Sequence, residues 1–337
     1  MSKFKVLILL FIFLFQINSF ALKKLGKAGF KFLDVGIGAR AAGIAGAYIV
    51  NGNSSDAVFF NPAGIAKFDG KFSFSASYTQ WIADISYNAA SFIYSAGVYG
   101  KFGIHFLSPS YPEIEGTAIA DNSQGFIETG RYSISAFSVG LSYARSLTDK
   151  FMIGGNINYS TQDLGGQTVT YVEKDSNDQE ISKTMKISND ASVISVDFGT
   201  IFYPKFTKLP TFGFAMTVRN FSPDVKVQER KFQLPLTYII GFTADVFDII
   251  GECKKDQRLM VEIDAIHPRD YTERLNVGFE YSYRNMFYLR TGYRFNYDEE
   301  NVTFGLGYKK GPLTIDYSYG SFGVFNNVNR VSFGVRF

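Results

Sequence analysis

Arg330-Val331-Ser332-Phe333-Gly334-Val335-Arg336-Phe337 is the stretch whose reading decides the fold. Val331, Phe333, Val335 and Phe337 fall on one side of a two-residue period, and Arg330, Ser332, Gly334 and Arg336 fall on the other. A strand that is apolar on one face, small or basic on the other, and closed by an aromatic ring suits a wall with lipid outside and polar space inside. A soluble sandwich strand alternates in the same way, so the argument turns on recurrence.

The pattern recurs upstream. Phe72, Phe74, Ala76 and Tyr78 oppose Ser73, Ser75, Ser77 and Thr79; Leu275, Val277, Phe279 and Tyr281 oppose Asn276, Gly278, Glu280 and Ser282. Alternating segments begin near Phe72, Ile85, Phe102, Phe137, Phe151, Ile194, Phe212, Leu236, Leu259, Leu275, Phe287, Val302, Leu313 and Arg330. The second is read through to Val98, with Ala96 and Val98 facing outward. Each is near the roughly 9–11 residues of a tilted membrane strand. The expected fold is therefore all-β, a 14-stranded antiparallel transmembrane β-barrel. An even count puts both barrel ends on the periplasmic side. The links after odd-numbered strands then lie outside, and residues 108–130, 161–190 and 220–231 are the longest of them, polar and turn-forming. Opposite links such as Arg284-Asn285 are mostly short, with 203–210 and 247–257 as intermediate exceptions. Trp81, Tyr78, Tyr111, Tyr281 and Tyr293 are candidates for interfacial aromatic girdles.

Composition agrees. The 337 residues include 35 Phe, 21 Tyr and 32 Gly, and aromatics reach 17%, a surplus that needs an apolar surface to face. A net charge of +3, without a long charged block, gives no reason to expect a nucleic-acid partner. Lys3 and Lys5 precede the apolar run Val6 to Phe15, and Ser19-Phe20-Ala21 places small residues at a peptidase-like spacing. Residues 1–21 read as a secretory signal cut after Ala21, because the run is shorter than the ~20 residues that span a bilayer. Cys253 is the sole cysteine, so no intramolecular disulfide is indicated.

Residues 22–69 differ from the barrel segment 70–337. Phe30 to Val35 reads as extended, and Gly36 to Ala47 gathers small residues into a helix that needs tertiary support, since each glycine costs about 1 kcal/mol relative to alanine. Asn53 to Asp56 offer capping side chains, and Asn61-Pro62-Ala63-Gly64 interrupts or restarts the helix near Pro62. Such a segment is poor material for a membrane strand and good material for a plug within one. The runs Phe32 to Ala47 and Ser55 to Ala66 resemble the amino-terminal signature of the PorV/PorQ family, and the Asn-Pro-Ala element is distantly similar to the hatch of FadL-type hydrophobic-compound transporters. The resemblance implies an outer-membrane barrel with a luminal amino-terminal hatch, and for PorV a part in delivering type IX secretion cargo to the cell surface.

The candidate hatch residues are Gly38, Ala39, Arg40, Asn61, Pro62, Ala63 and Gly64. Glu262, Asp264, Glu280, Arg290, Arg294, Asp316 and Arg336 fall on inward positions and form a candidate luminal polar network, either neutralised around the plug or part of a path that opens when Arg40 or the hatch shifts. An enzyme is the weaker reading: His105 and His267 have no metal-ligand spacing, and no nucleophile, base and orienting group stand together. No cofactor is implied. Beyond outer-membrane lipid, the expected partners are secretion-system or cargo proteins. Two alternatives stay open, FadL-like passage of a hydrophobic small molecule and a structural barrel without conduction.

Overall fold

The structure, a computed structural model, describes residues 28–119, 123–174, 180–187, 189–207, 209–227, 230–252 and 254–337. The signal segment and Cys253 lie outside them. Fourteen strands close one antiparallel barrel. They are β1 (Phe72–Gln80), β2 (Ser86–Ser95), β3 (Lys101–Ser110), β6 (Ser135–Ser146), β7 (Phe151–Asp163), β10 (Asp190–Phe202) and β11 (Gly213–Phe221), followed by β14 (Thr237–Asp245), β15 (Gln257–Pro268), β16 (Arg274–Tyr283), β17 (Phe287–Phe295), β18 (Glu300–Lys310), β19 (Leu313–Phe322) and β20 (Asn327–Arg336). The seam is β1 against β20, with Phe74 opposite Val335 and Tyr78 opposite Val331. The strand count and the facing of the residues agree with the alternation. Phe72, Phe74, Phe92, Leu141, Phe198, Leu289 and Ile315 stand exposed on the outer face, while Ser73, Ser91, Asn158, Thr217 and Ser318 are buried within.

Three features of the barrel and its links differ from the sequence reading. Strand β2 ends at Ser95, and Ala96 and Val98 belong to a turn. Gly97 (φ 63°) and Gly100 (φ 101°) take backbone angles that side chains resist, which breaks the strand there. The long links are also not irregular loops: they carry the hairpins β4 (Ile114–Ile119) with β5 (Phe126–Tyr132), β8 (Gln167–Lys174) with β9 (Glu180–Ile187), and β12 (Val225–Val227) with β13 (Arg230–Phe232). A hairpin beyond the lipid needs backbone pairing but no apolar face, so its residues look like loop. Finally, Trp81 and Tyr111 are not girdle rings. Trp81 packs edge-on against Tyr87 and Phe322, and both aromatics lie against an interior apolar cluster. Tyr78 and Tyr293 do stand exposed on the outer wall.

The segment from Ala28 to Gly70 sits inside the barrel. Phe30 adopts the left-handed region (φ 52°) and Lys31–Asp34 forms a single 3-10 turn, so this run is folded, not extended as its composition suggests. The turn brings Phe30, Phe32, Leu33 and Ile37 against Leu107, Val193, Val225 and Leu234, at the end that carries the hairpins. Only Ala39–Gly43 of the small-residue run is α-helical; Ser55–Phe59 and Pro62–Lys67 are 3-10 turns. The glycines that weaken a longer helix are tolerated because the wall supplies the missing bonds. Further apolar clusters seat Ile44, Tyr48, Ile49 and Val50 against Ile201 and Ile239, and Val58, Ile65 and Phe68 against Ile93 and Ala144.

Candidate functional site

The helix Ala39–Gly43 lies against the inner face of β17 to β20. Its first amide, Ala39 N, donates to Ser332 Oγ (2.8 Å), as a short helix with no side-chain cap of its own requires. Its far end is held by Thr303, whose hydroxyl accepts from Ala45 N (3.0 Å) and donates to Gly43 O (3.1 Å). Close approach is possible because the wall opposite is glycine. A Cβ on Gly278 would lie 2.5 Å from Ile44 O, and one on Gly292 would lie 2.7 Å from Ala45 N.

Arg40 extends from this helix to Glu280, its Nε and Nη2 donating to the two carboxylate oxygens at 3.0 and 2.9 Å. Glu280 Oε2 also accepts from Arg290 Nε (2.6 Å), and Arg290 Nη1 donates to Asp316 Oδ1 (2.7 Å). A plug arginine thus ends a chain of alternating charge across three strands of wall. Such burial is tolerable only because each charge has an opposite partner in direct contact. Tyr48, wholly buried, donates to Asp56 Oδ2 (3.3 Å) beneath Arg40. Burial, opposed in part by Arg40, pushes its phenol above the ordinary value, so it remains a neutral donor.

The other expected luminal residues hold the plug at separate points. Asp264 Oδ2 accepts from Tyr48 N (2.9 Å) and Ile49 N (3.3 Å), and Glu262 accepts from Asn51 Nδ2 (2.9 Å). Arg294 donates to Ala45 O (3.0 Å) and pairs with Glu300. Arg336 reaches Asn53 Oδ1 (3.4 Å). Of the seven, Glu280, Arg290 and Asp316 are therefore brought together, and the rest grip separate parts of the plug.

On the opposite side Asn61 fastens the Asn-Pro-Ala-Gly turn. Its Oδ1 accepts from Ala63 N (3.0 Å) while its Nδ2 donates to Ile49 O (2.9 Å) and, across to β10, Thr200 O (3.2 Å). Pro62 occupies the first turn, where its missing N–H costs nothing. Gly154 and Gly199 leave room: a Cβ on Gly154 would meet Ala63 N at 2.5 Å. Asn61→Ala leaves a buried N–H and two carbonyls unanswered, and it is expected to cost about 2 kcal/mol, read as a lower temperature for loss of the folded band on an unheated gel. An unchanged transition would contradict the role given to the amide.

Several residues of the site escaped selection from sequence, although their inward parity was readable. Asp197, at a register shift between β10 and β11, accepts from Asn156 (2.9 Å), Asn158 (2.8 Å) and the backbone of Asn220 (2.7 Å). Asn158 also meets His105 (2.9 Å), which makes this histidine a structural one. Arg330 donates to Gly36 O (3.2 Å) beside Trp81. Among the described residues no group of His, Cys, Asp and Glu could hold a metal ion.

The plug leaves a cavity on each side. One, of about 230 Å³, lies at the short-turn end among Arg40, Asn53, Asn285, Lys309 and Arg336. The other, of about 440 Å³, lies under the hairpin end among Trp81, Arg219, Tyr271, Arg274 and Tyr297. Loop length assigns the first end to the periplasm.

Wall and filling together define an outer-membrane β-barrel stoppered by its own amino-terminal segment. Three solved structures are similar: the CymD monoaromatic hydrocarbon channel (TM-score 0.55, 12% identity, 90% of this chain and 98% of that one), the toluene transporter TodX of Pseudomonas putida (0.55, 12%, 94% and 98%) and a FadL homologue of Pseudomonas aeruginosa (0.55, 10%, 90% and 99%). At such identity they share the fold. No curated protein sequence matches the chain. The family model for type IX secretion system membrane protein PorP/SprF matches residues 57–332, and the chain belongs to that family. The secretion system is the one the amino-terminal signature suggests, but the family is PorP/SprF and not specifically PorV/PorQ. Of the residues that carry that signature, Phe32 to Asp56 precede the matched span and Ala57 to Ala66 lie within it. The protein is an outer-membrane barrel of a secretion-system family, not an enzyme.

Proposed function

We propose that the protein is an accessory of type IX secretion that helps deliver exported proteins to the cell surface, working through its rims and outer hairpins and not through its lumen. The family match over residues 57–332 carries this reading. The plug supports it: Arg40, Ala45, Tyr48, Asn51 and Asn61 are all bonded to groups of the wall or of the plug beside it, and the strand ladder is closed all the way round. In a PorV-like variant of the role, the hairpins β4–β5 and β8–β9 would meet cargo. FadL-like passage of an apolar molecule would need the hatch to leave these bonds.

The test is mild detergent extraction of the native protein, with identification of co-purifying proteins and bound small molecules. Reproducible recovery of secretion-system components without an apolar ligand is expected. A retained apolar ligand without those components would overturn the proposal in favour of transport.

A further inference from the structure

Two arginines in the short-turn cavity converge on a neutral atom. Arg40 Nη1 (3.0 Å) and Arg336 Nη2 (3.4 Å) both donate to the amide oxygen of Asn53. Guanidinium pairs of this kind ordinarily close on a carboxylate, whose charge and two oxygens answer both forks. Glu280 already satisfies Arg40 from behind, but Arg336 and the adjacent Lys309 have no carboxylate within ion-pair distance among the described residues. The wall beside them also has spare hydrogen-bonding capacity. Ser91 Oγ, on a residue 3% exposed, has no partner, and Ser77 Oγ and Thr314 Oγ1 are likewise buried and unpaired. All three residues line the same cavity of about 230 Å³. Two carboxylates, Asp56 and Asp316, line the same cavity, but Asp316 is paired with Arg290 and Asp56 is bonded to Ser54 and Tyr48. Unpaired buried hydroxyls are uncommon in folded proteins, and beside Arg336 and Lys309 they leave a receptor for a further oxyanion.

We propose that this periplasm-side cavity binds the carboxylate of an acidic peptide segment, which would replace Asn53 as the group shared by Arg336 and its neighbours. Its size admits an acidic side chain, and Asn285, in the short turn after β16, is among its lining residues, which places the cavity on the side from which a periplasmic protein would approach. The site goes beyond the secretion role and does not depend on it, because binding is measured on the purified barrel alone.

The probes are a short fluorescent peptide with blocked ends carrying two glutamates, its glutamine counterpart, and inorganic phosphate, added to the detergent-solubilised full chain. The glutamate peptide is expected to bind at least about tenfold more tightly than the glutamine one, and Arg336→Gln to weaken it about tenfold. Asn53→Asp fills the receptor from within and is expected to abolish binding while keeping the folded gel migration. Lys309→Gln, at the rim, repeats the test should Arg336→Gln fail to fold. Equal binding of the two peptides, binding of neither, or variants that bind like the parent would overturn the proposal. So would phosphate binding without peptide binding, which would assign the cavity to a free small anion.

Discussion

Arg290→Ala is expected to destabilise the stoppered barrel by about 3–5 kcal/mol, the cost of removing one member of a buried charge network. Arg290 is 4% exposed and bridges Glu280 and Asp316 at 2.6 and 2.7 Å. Without it Asp316 loses its ion-pair partner and Glu280 keeps only Arg40, with both carboxylates still out of water. The loss therefore has two parts, the missing attraction and the uncompensated charge left behind, and the second is the larger. Arg290→Lys should recover part of it, since an ammonium can meet one carboxylate but does not span both as a planar fork does. The readout is the temperature at which the folded band converts to the heated form, expected in the order parent, Arg290→Lys, Arg290→Ala. Equal transitions would show that the network contributes nothing to holding the plug.

Gly278→Leu attacks the same anchorage through volume. Even a Cβ at this position would lie 2.5 Å from Ile44 O and 2.6 Å from Ile44 Cβ, and the backbone there is fixed by Thr303 and Arg294. Overpacking of about this size costs roughly 1–3 kcal/mol when side chains adjust. Here the obstacle is backbone, so displacement of residues 43–46 is the expected outcome. It should show as protease cleavage within the plug while the strands survive. Gly320→Ala is the control, because its nearest contact, Thr303 Cγ2, is an ordinary 3.8 Å away. Plug protection that persists in Gly278→Leu would mean the segment is not seated against β16.

How much of this was legible follows from what each feature demands of its residues. Lipid on one face and a filled lumen on the other force strict alternation, so the fourteen barrel strands and the inward side of Glu262, Glu280 and Arg290 could be read without a structure. The cap at Asn61 was readable too, because asparagine before proline at a helix start needs only local chemistry. Pairing was not legible: Arg40 and Glu280 are 240 residues apart, and nothing in a linear pattern chooses among the inward carboxylates. Nor were the hairpins, whose strands lie outside the lipid. Trp81 misled for a related reason, since a ring beside a strand end suits a membrane interface and the vestibule equally. Phe30 was read as extended because its left-handed turn is imposed by the apolar cluster it enters.

The central claim is that the amino-terminal segment closes the lumen in the resting protein. Its most direct test is conductance of the purified parent barrel in a planar bilayer, with insertion verified by folded gel migration of the recovered protein. The expected result is an electrically silent parent, with Gly278→Leu producing channel openings as the plug is displaced. Steady ohmic conductance by the parent on insertion would contradict the account.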